Sequence, residues 1–275
     1  MSDVRRYSRW VAENEIPLHG GNATTGVVRI GRTVRKPWTT ATGPVVEFVA
    51  ALADSGIDVP LPLGRDERGR QIIEFVPGQL AVDAGPLSLA DLTRVGQMVR
   101  ELHDASERFP SSDTAWDILI PTPDANLICH NDLGPWNLIM GDRWVFIDWD
   151  GAGPSTRLWD LAYAAQAFTL NDVTEDPAHA AERLAAFIDG YGADQALRTE
   201  LPRVMAERAA AMHDLLRVAH ETRRQPWATM YLEGHGAHWR AAADYVSLHR
   251  STWATAVASP EEATPNPRTY LSDTR

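Results

Sequence analysis

The stretch His130-Asn131-Asp132-Leu133-Gly134-Pro135-Trp136-Asn137 is followed by Asp148-Trp149-Asp150, and the residues between them restrict how the pieces can lie. Asn126 to His130 opens apolar, with Leu127, Ile128 and Cys129, and reads as a short buried strand. Gly134-Pro135 marks a loop. Leu138-Ile139-Met140 reads as a second strand, Gly141-Asp142 as a turn pair, and Trp144 to Ile147 as a third strand ending at Asp148. A strand, a loop and a hairpin in this order predict that Asp132, Asn137 and Asp148 gather at one end of a small sheet. Loops on a rigid scaffold are where reactive groups usually sit.

Aspartate and asparagine in loops are commonly turn formers. An HxDxxxxN pattern, then an apolar strand and DxD, is much rarer, and its residue types suit phosphoryl transfer. In such a site one carboxylate accepts a proton from an attacking hydroxyl, and a carboxamide and a second carboxylate hold magnesium against nucleotide phosphates. HNDLGPWN followed by IDWD resembles the core of the aminoglycoside phosphotransferase and choline kinase family, relatives of the protein kinases, over about residues 18 to 165. The resemblance implies that Asp132 is the catalytic base, that Asn137 and Asp148 are the two metal ligands, and that His130 braces the loop. Pro154…Trp159-Asp160-Leu161-Ala162 resembles the family's GDPxxDLA segment, in which Asp160 would be a buried brace or a helix cap. Within the family, the HGGN…VRKP opening and the HND loop are most similar to actinobacterial members described as phosphotransferases or as trifolitoxin-immunity-like.

The chain has 25 arginines and a single lysine, Lys36. That lysine closes a strand-like run from Val27, where a kinase needs a cation for the α- and β-phosphates. Lysine is a compact point charge and arginine no simple substitute. Arg35 is the alternative, because a slip of one residue exchanges the faces of a strand. Upstream, His19 to Ile30 contains Gly20, Gly21 and Gly26 and reads as a glycine-bearing turn between two strands able to approach phosphate closely, with Gly21 as its expected nucleotide-binding residue. Gly43-Pro44 reads as a helix start with Glu47 in the first turn, as the expected partner of Lys36, and Asp54 as the fallback. Ile72 to Gly78 reads as an apolar strand broken at Pro77-Gly78. The resemblance makes it the link between two lobes, where the backbone of Phe75 and Val76 would meet the nucleobase. Backbone recognition does not separate ATP from GTP.

These readings predict an α+β, two-lobed, protein-kinase-like fold. A small β-rich lobe spans residues 1–78 and binds nucleotide, a mostly helical lobe spans residues 79–258 and binds the acceptor, and residues 259–275 form a loose tail. With 275 residues, 44% apolar and 23% charged, the chain has ample material for a core. Ser88 to Ala105 reads as a helix with Ser88 and Asp91 as a capping pair and Leu89, Leu92, Val95, Val99 and Leu102 as its stripe. Residues 177–257 carry alanine-rich helical stretches.

No apolar run reaches membrane-spanning length, the first residues lack an apolar signal core, and the only cysteine, Cys129, excludes an internal disulfide. A cytoplasmic place is expected. The pair His235 and His238 has no accompanying carboxylate or thiolate cluster, so zinc is not expected. A net charge of −11 disfavours nucleic acid. It suits a cationic acceptor, for which Glu207, Asp214, Glu221, Glu233 and Asp244 are available in the helical lobe. Only nine residues separate Asp150 from Asp160, and Asn131 stands where phosphorylation-switched protein kinases carry arginine, so a small-molecule hydroxyl acceptor is expected rather than a peptide. Three functions follow: a magnesium- and ATP- or GTP-dependent phosphotransferase acting on an antibiotic or natural product such as an aminoglycoside, a kinase of an amino alcohol or sugar, or a nucleotide-binding immunity module without catalysis.

Overall fold

The computed structural model describes residues 15–18, 26–109 and 116–258. Its first part is a five-stranded antiparallel sheet of β1 (Ile16–Pro17), β2 (Val28–Ile30), β3 (Thr33–Lys36), β4 (Pro62–Arg65) and β5 (Gln71–Glu74), in the order β1-β2-β3-β5-β4. The run from Val27 to Lys36 is two strands, because Gly31 takes φ 60° and turns the chain between Ile30 and Thr33. Side chains alternate across a strand, which separates Arg35 from Lys36. Arg35 bonds Thr33 Oγ1 at 2.6 Å and lies 3.6 Å from Asp66. Lys36 is buried.

Helix α1 (Thr42–Asp54) starts two residues before Pro44, so Glu47 falls beyond its first turn and is exposed. Val45, Phe48, Val49 and Leu52 form its buried stripe. Strand β5 ends at Glu74 rather than running on to Gly78. Phe75 gives its N–H to the Arg32 carbonyl at 2.9 Å and lays its ring under the Arg29 guanidinium at 3.8 Å. Gly78 has φ +151°, and a Cβ there would stand 2.5 Å from Ile139 and 2.7 Å from the Met140 carbonyl. Only glycine lets the link pass this close to the next sheet.

The second part begins with β6 (Gln79–Leu80) and α2 (Leu89–Ser106). Ser88 and Asp91 form the expected capping box, and Leu92, Val95, Val99 and Leu102 are buried, whereas Leu89 at the helix start is exposed. Four short strands follow: β7 (Leu127–Cys129), β8 (Leu138–Met140), β9 (Trp144–Phe146) and β10 (Gly153–Ser155). The hairpin β8-β9 extends β6 into a three-stranded sheet. Strand β7 is not part of it but pairs antiparallel with β10, so two small sheets, not one, flank the catalytic loop.

The rest is helical: α3 (Arg157–Thr169), α4 (Pro177–Tyr191), α5 (Gln195–Thr222), α6 (Trp227–Met230), α7 (Gly236–Leu248) and α8 (Arg250–Val257), with one π-helical turn at Tyr231–His235. The main core joins α1, α2, the β7–β9 region and α3 to α5. Its fully buried aliphatic side chains each contribute about 2 kcal/mol before chain entropy is counted. Phe48 of α1 meets Trp149 edge-on at 5.9 Å, which couples α1 to the turn after Asp148. Arg143, in the β8-β9 turn, pairs with Asp58 at 2.6 Å and with Glu74, tying that hairpin to the first sheet. Among the described residues no helix is long and apolar enough to cross a membrane.

Candidate active site

The loop after β7 is fixed from below before any reactive group is placed. His130 is buried against Trp149, with ring centroids 4.5 Å apart. Its Nε2–H donates to the Ile147 carbonyl at 3.1 Å and its Nδ1 accepts the Asp132 N–H at 3.3 Å. One imidazole thus ties the loop carrying Asp132 to the strand end carrying Asp148, and the two bonds set its tautomer. Asn131 adopts φ 65°, a conformation that asparagine tolerates better than most residues. Its N–H donates to Asp160 Oδ1 at 2.8 Å, and its carboxamide donates to the carbonyls of Gly151 and Gly153 at 3.1 and 3.2 Å. Its own carbonyl accepts from Arg208 Nη2 at 3.2 Å.

Asp160 is fully buried at the start of α3 and also bonds His103 Nε2 at 3.1 Å, while His103 Nδ1 meets the Tyr191 hydroxyl at 2.9 Å. It is therefore a brace; the helix cap is Thr156, whose hydroxyl accepts the Trp159 N–H. Cys129 lies within 4.8 Å of the ligand atoms of this His103–Asp160 pair. Burial pushes its thiol well up, and the other two groups are already bonded to each other, so the trio is structural.

Asp132 is half-buried at the centre of the loop. Oδ1 accepts the Tyr163 hydroxyl at 2.7 Å and the Trp136 indole N–H at 3.3 Å. Oδ2 accepts the Asn137 amide at 2.8 Å. Among the described residues Oδ2 thus keeps an acceptor position that Oδ1 has spent. Burial raises the carboxyl above the usual carboxylate range, outweighing the Tyr163 hydrogen bond and the His130 ring, with Asp148 adding repulsion. Trp136 reaches the carboxylate because residue 134 is glycine, whose Cβ would stand 2.4 Å from the indole ring. Asn137 spends its amide hydrogens on Asp132 Oδ2 at 2.8 Å and on the Asp132 carbonyl at 3.0 Å.

Asp148 sits in the left-handed region at φ 61°. Its Oδ1 is 2.6 Å from Lys36 Nζ, and Asp150 Oδ2 is 2.7 Å from the same ammonium. Burial opposes the charge on Lys36, but these two carboxylates outweigh it and hold the ammonium above the usual lysine range. The expected pairing of Lys36 with Glu47 is replaced by this one, because Glu47 lies past the first turn of α1 on its exposed face; exposed Asp54 is not a partner either. Of the remaining expected residues, Val76 is buried against Ile139 and Val145, Phe75 is half-buried beside it, and Gly21 lies outside the described residues. The structure brings together Lys36, His130, Asp132, Asn137, Asp148 and Asp160. It adds Asp150, Tyr163 and Arg208, which the sequence reading did not single out as site residues.

Residues 106–201 match the family model of the phosphotransferase enzyme family. The trifolitoxin immunity protein of Rhizobium leguminosarum bv. trifolii is 30% identical over 266 residues, covering 89% of this chain and 99% of that protein. The chain belongs to the phosphotransferase enzyme family. Solved structures agree on a kinase-like fold. A choline/ethanolamine kinase family protein from Mesorhizobium loti superposes with a TM-score of 0.58 at 18% identity, covering 90% of this chain and 94% of that one. A microcompartment-associated aminopropanol kinase gives 0.59 at 16% identity, covering 88% and 93%. An amicoumacin kinase in complex with AMP-PNP, Ca2+ and Ami gives 0.56 at 14% identity, covering 81% and 86%.

In the helical part, the carboxylates expected to meet a cationic acceptor are partly spent. Glu207 pairs with Arg203 at 2.6 Å, and Asp214 and Glu221 pair with Arg217 at 3.3 and 2.8 Å. Arginines three or four positions away on the same helix neutralise them. His238, whose ring burial holds below the usual histidine range, bonds Asn171 at 2.9 Å.

Proposed function

We propose that this phosphotransferase moves the γ-phosphoryl group of magnesium-bound ATP or GTP to a hydroxyl of a small molecule, and that the molecule is an antibiotic or natural product. The observation that carries the chemistry is the state of Asp132. Its carboxylate is held by three donors, yet Oδ2 retains one acceptor position facing an incoming hydroxyl. The raised carboxyl suits a general base that must take up a proton. Lys36 serves the nucleotide phosphates. The Phe75 carbonyl and the Val76 backbone meet the nucleobase, since the Phe75 N–H is already given to Arg32.

The side-chain oxygen of Asn137 and the carboxylate of Asp148 would hold magnesium. They are hard oxygen donors, and the Lys36 ammonium already stands where the carboxylates of Asp148 and Asp150 converge, which marks the point as a cation position. When bound, the metal supplies charge compensation on the phosphate oxygens. The chain's own contribution is to hold the acceptor hydroxyl in line at Asp132 Oδ2, to exclude competing orientations, and to keep the compensating charges fixed. An immunity relative that matches along nearly its whole length supports a protective role against an antibiotic, exercised in the cytoplasm, where nucleotide and magnesium are plentiful. A module without catalysis would have no chemical use for the bonded Asp132–Asn137 pair.

The test is phosphoryl transfer from magnesium-ATP to a panel of aminoglycosides, other hydroxylated antibiotics and amino alcohols, run beside Asp132→Ala. Turnover should fall by about three orders of magnitude or more in the variant while nucleotide affinity holds. Equal turnover in the variant would overturn Asp132 as the base. Failure of the parent protein to bind nucleotide would overturn the whole reading.

A further inference from the structure

Taking Asp132 as the base of the proposed reaction, we infer that Tyr163, anchored by Arg208, is a positioning residue that pins Asp132 Oδ1 so that Oδ2 alone faces the acceptor. Tyr163 lies in the second turn of α3, three residues past Asp160, and at 2% exposure it has no solvent to bond. Its hydroxyl donates to Asp132 Oδ1 at 2.7 Å, the shortest of the three bonds that the carboxylate receives. A bond from a buried hydroxyl to a carboxylate is stronger than a neutral pair and fixes direction as well as distance. Rotation of the carboxylate about its χ2 torsion would break this bond and the one from Asn137 together, so the two oxygens keep separate tasks.

The tyrosine ring is itself over-determined. Trp239 stacks on it at 5.8 Å and 17°, and Trp136 meets it edge-on at 6.2 Å. The Arg208 guanidinium lies 4.3 Å from its centroid. Arg208 is 4% exposed and reaches from α5 to the carbonyl of Asn131, the residue between His130 and Asp132. One buried side chain thus touches both the tyrosine that holds the carboxylate and the backbone that carries it. A tyrosine kept only for core packing would need no acceptor at its hydroxyl, and phenylalanine would fill the same space.

Tyr163→Phe keeps the ring, its stack on Trp239 and its contact with Arg208, and removes the hydroxyl alone. The assay is kcat for magnesium-ATP turnover with the best acceptor, or with water as acceptor, alongside nucleotide affinity and melting temperature. The role predicts a fall in kcat of about 10- to 100-fold with nucleotide affinity and melting unchanged. It also predicts that Tyr163→Phe adds nothing in an Asp132→Asn background, because its effect passes through that carboxylate. A purely structural role predicts the reverse: equal losses in both backgrounds. A Tyr163→Phe variant as fast as an active parent, or an additive double variant, overturns this role alone. A parent protein that transfers phosphoryl to no acceptor and not to water overturns the proposed function, and this role with it.

Discussion

Two groups of charged residues meet at the candidate site, and they are held by different physics. Asp132 is built into the core. Its loop hangs on Asp160, His103 and Arg208, all buried, and its carboxylate is bonded by Tyr163, Trp136 and Asn137. The second group, Lys36 with Asp148 and Asp150, is held by charge across the two parts of the chain, and side-chain exposure of the two carboxylates is 33% and 42%. A proton acceptor must keep one orientation through every turnover, so a dense hydrogen-bonded frame serves it. A cation position must exchange its occupant, so carboxylates partly open to water, facing a buried ammonium, serve it.

Replacing Lys36 by Met is the sharpest test of that contrast. Turnover should fall by about 100-fold or more through lost charge compensation on the phosphates, while melting falls less than in Asp160→Ala, since the two carboxylates left behind are partly open to water. A large loss of stability in this variant would show that the ion pairs are part of the frame. Asp160→Ala should do the opposite. It orphans the Asn131 N–H and a His103 nitrogen in the core, at a cost of about 3 kcal/mol or more, which thermal unfolding would read as a drop of roughly 10 °C. An unchanged melting temperature would remove Asp160 from the frame. Glu47→Gln, on the exposed face of α1, should leave turnover within about twofold; a clear loss would restore the expected partnership with Lys36 in a bound state.

Much of this was legible in the chain, and the division follows from the range of each interaction. The catalytic loop, the β8-β9 hairpin and the Ser88–Asp91 capping box are local patterns, set by residues within a dozen positions of one another, and the structure carries all three. Lys36 stood out because nearly every other cation in the chain is arginine. The partner of Lys36 was not legible, because 112 residues separate it from Asp148 and no spacing rule spans that distance. The reading of Glu47 failed locally, by a helix start two residues earlier than Gly43-Pro44 suggested. Tyr163 and Arg208 looked like ordinary helix positions, since sequence alone does not say what a buried polar side chain will meet. Asn131 did carry a signal: asparagine is a residue suited to positive φ. The pairing of β7 with β10 rested on strands of three residues, too short for pattern to fix a partner.

The Lys36 ammonium, seated between Asp148 and Asp150, gives the resting site a preference about the ionic form of what enters. Under the proposed function, a metal held by Asn137 and Asp148 would supply part of the positive charge that Lys36 now gives these carboxylates, and Lys36 would pair with phosphate oxygens. A nucleotide without metal brings only negative charge, toward two carboxylates that then have one ammonium to share with it. In the proposed reaction this arrangement would favour the metal-bound form of a nucleotide over the metal-free one before any atom of its base is read.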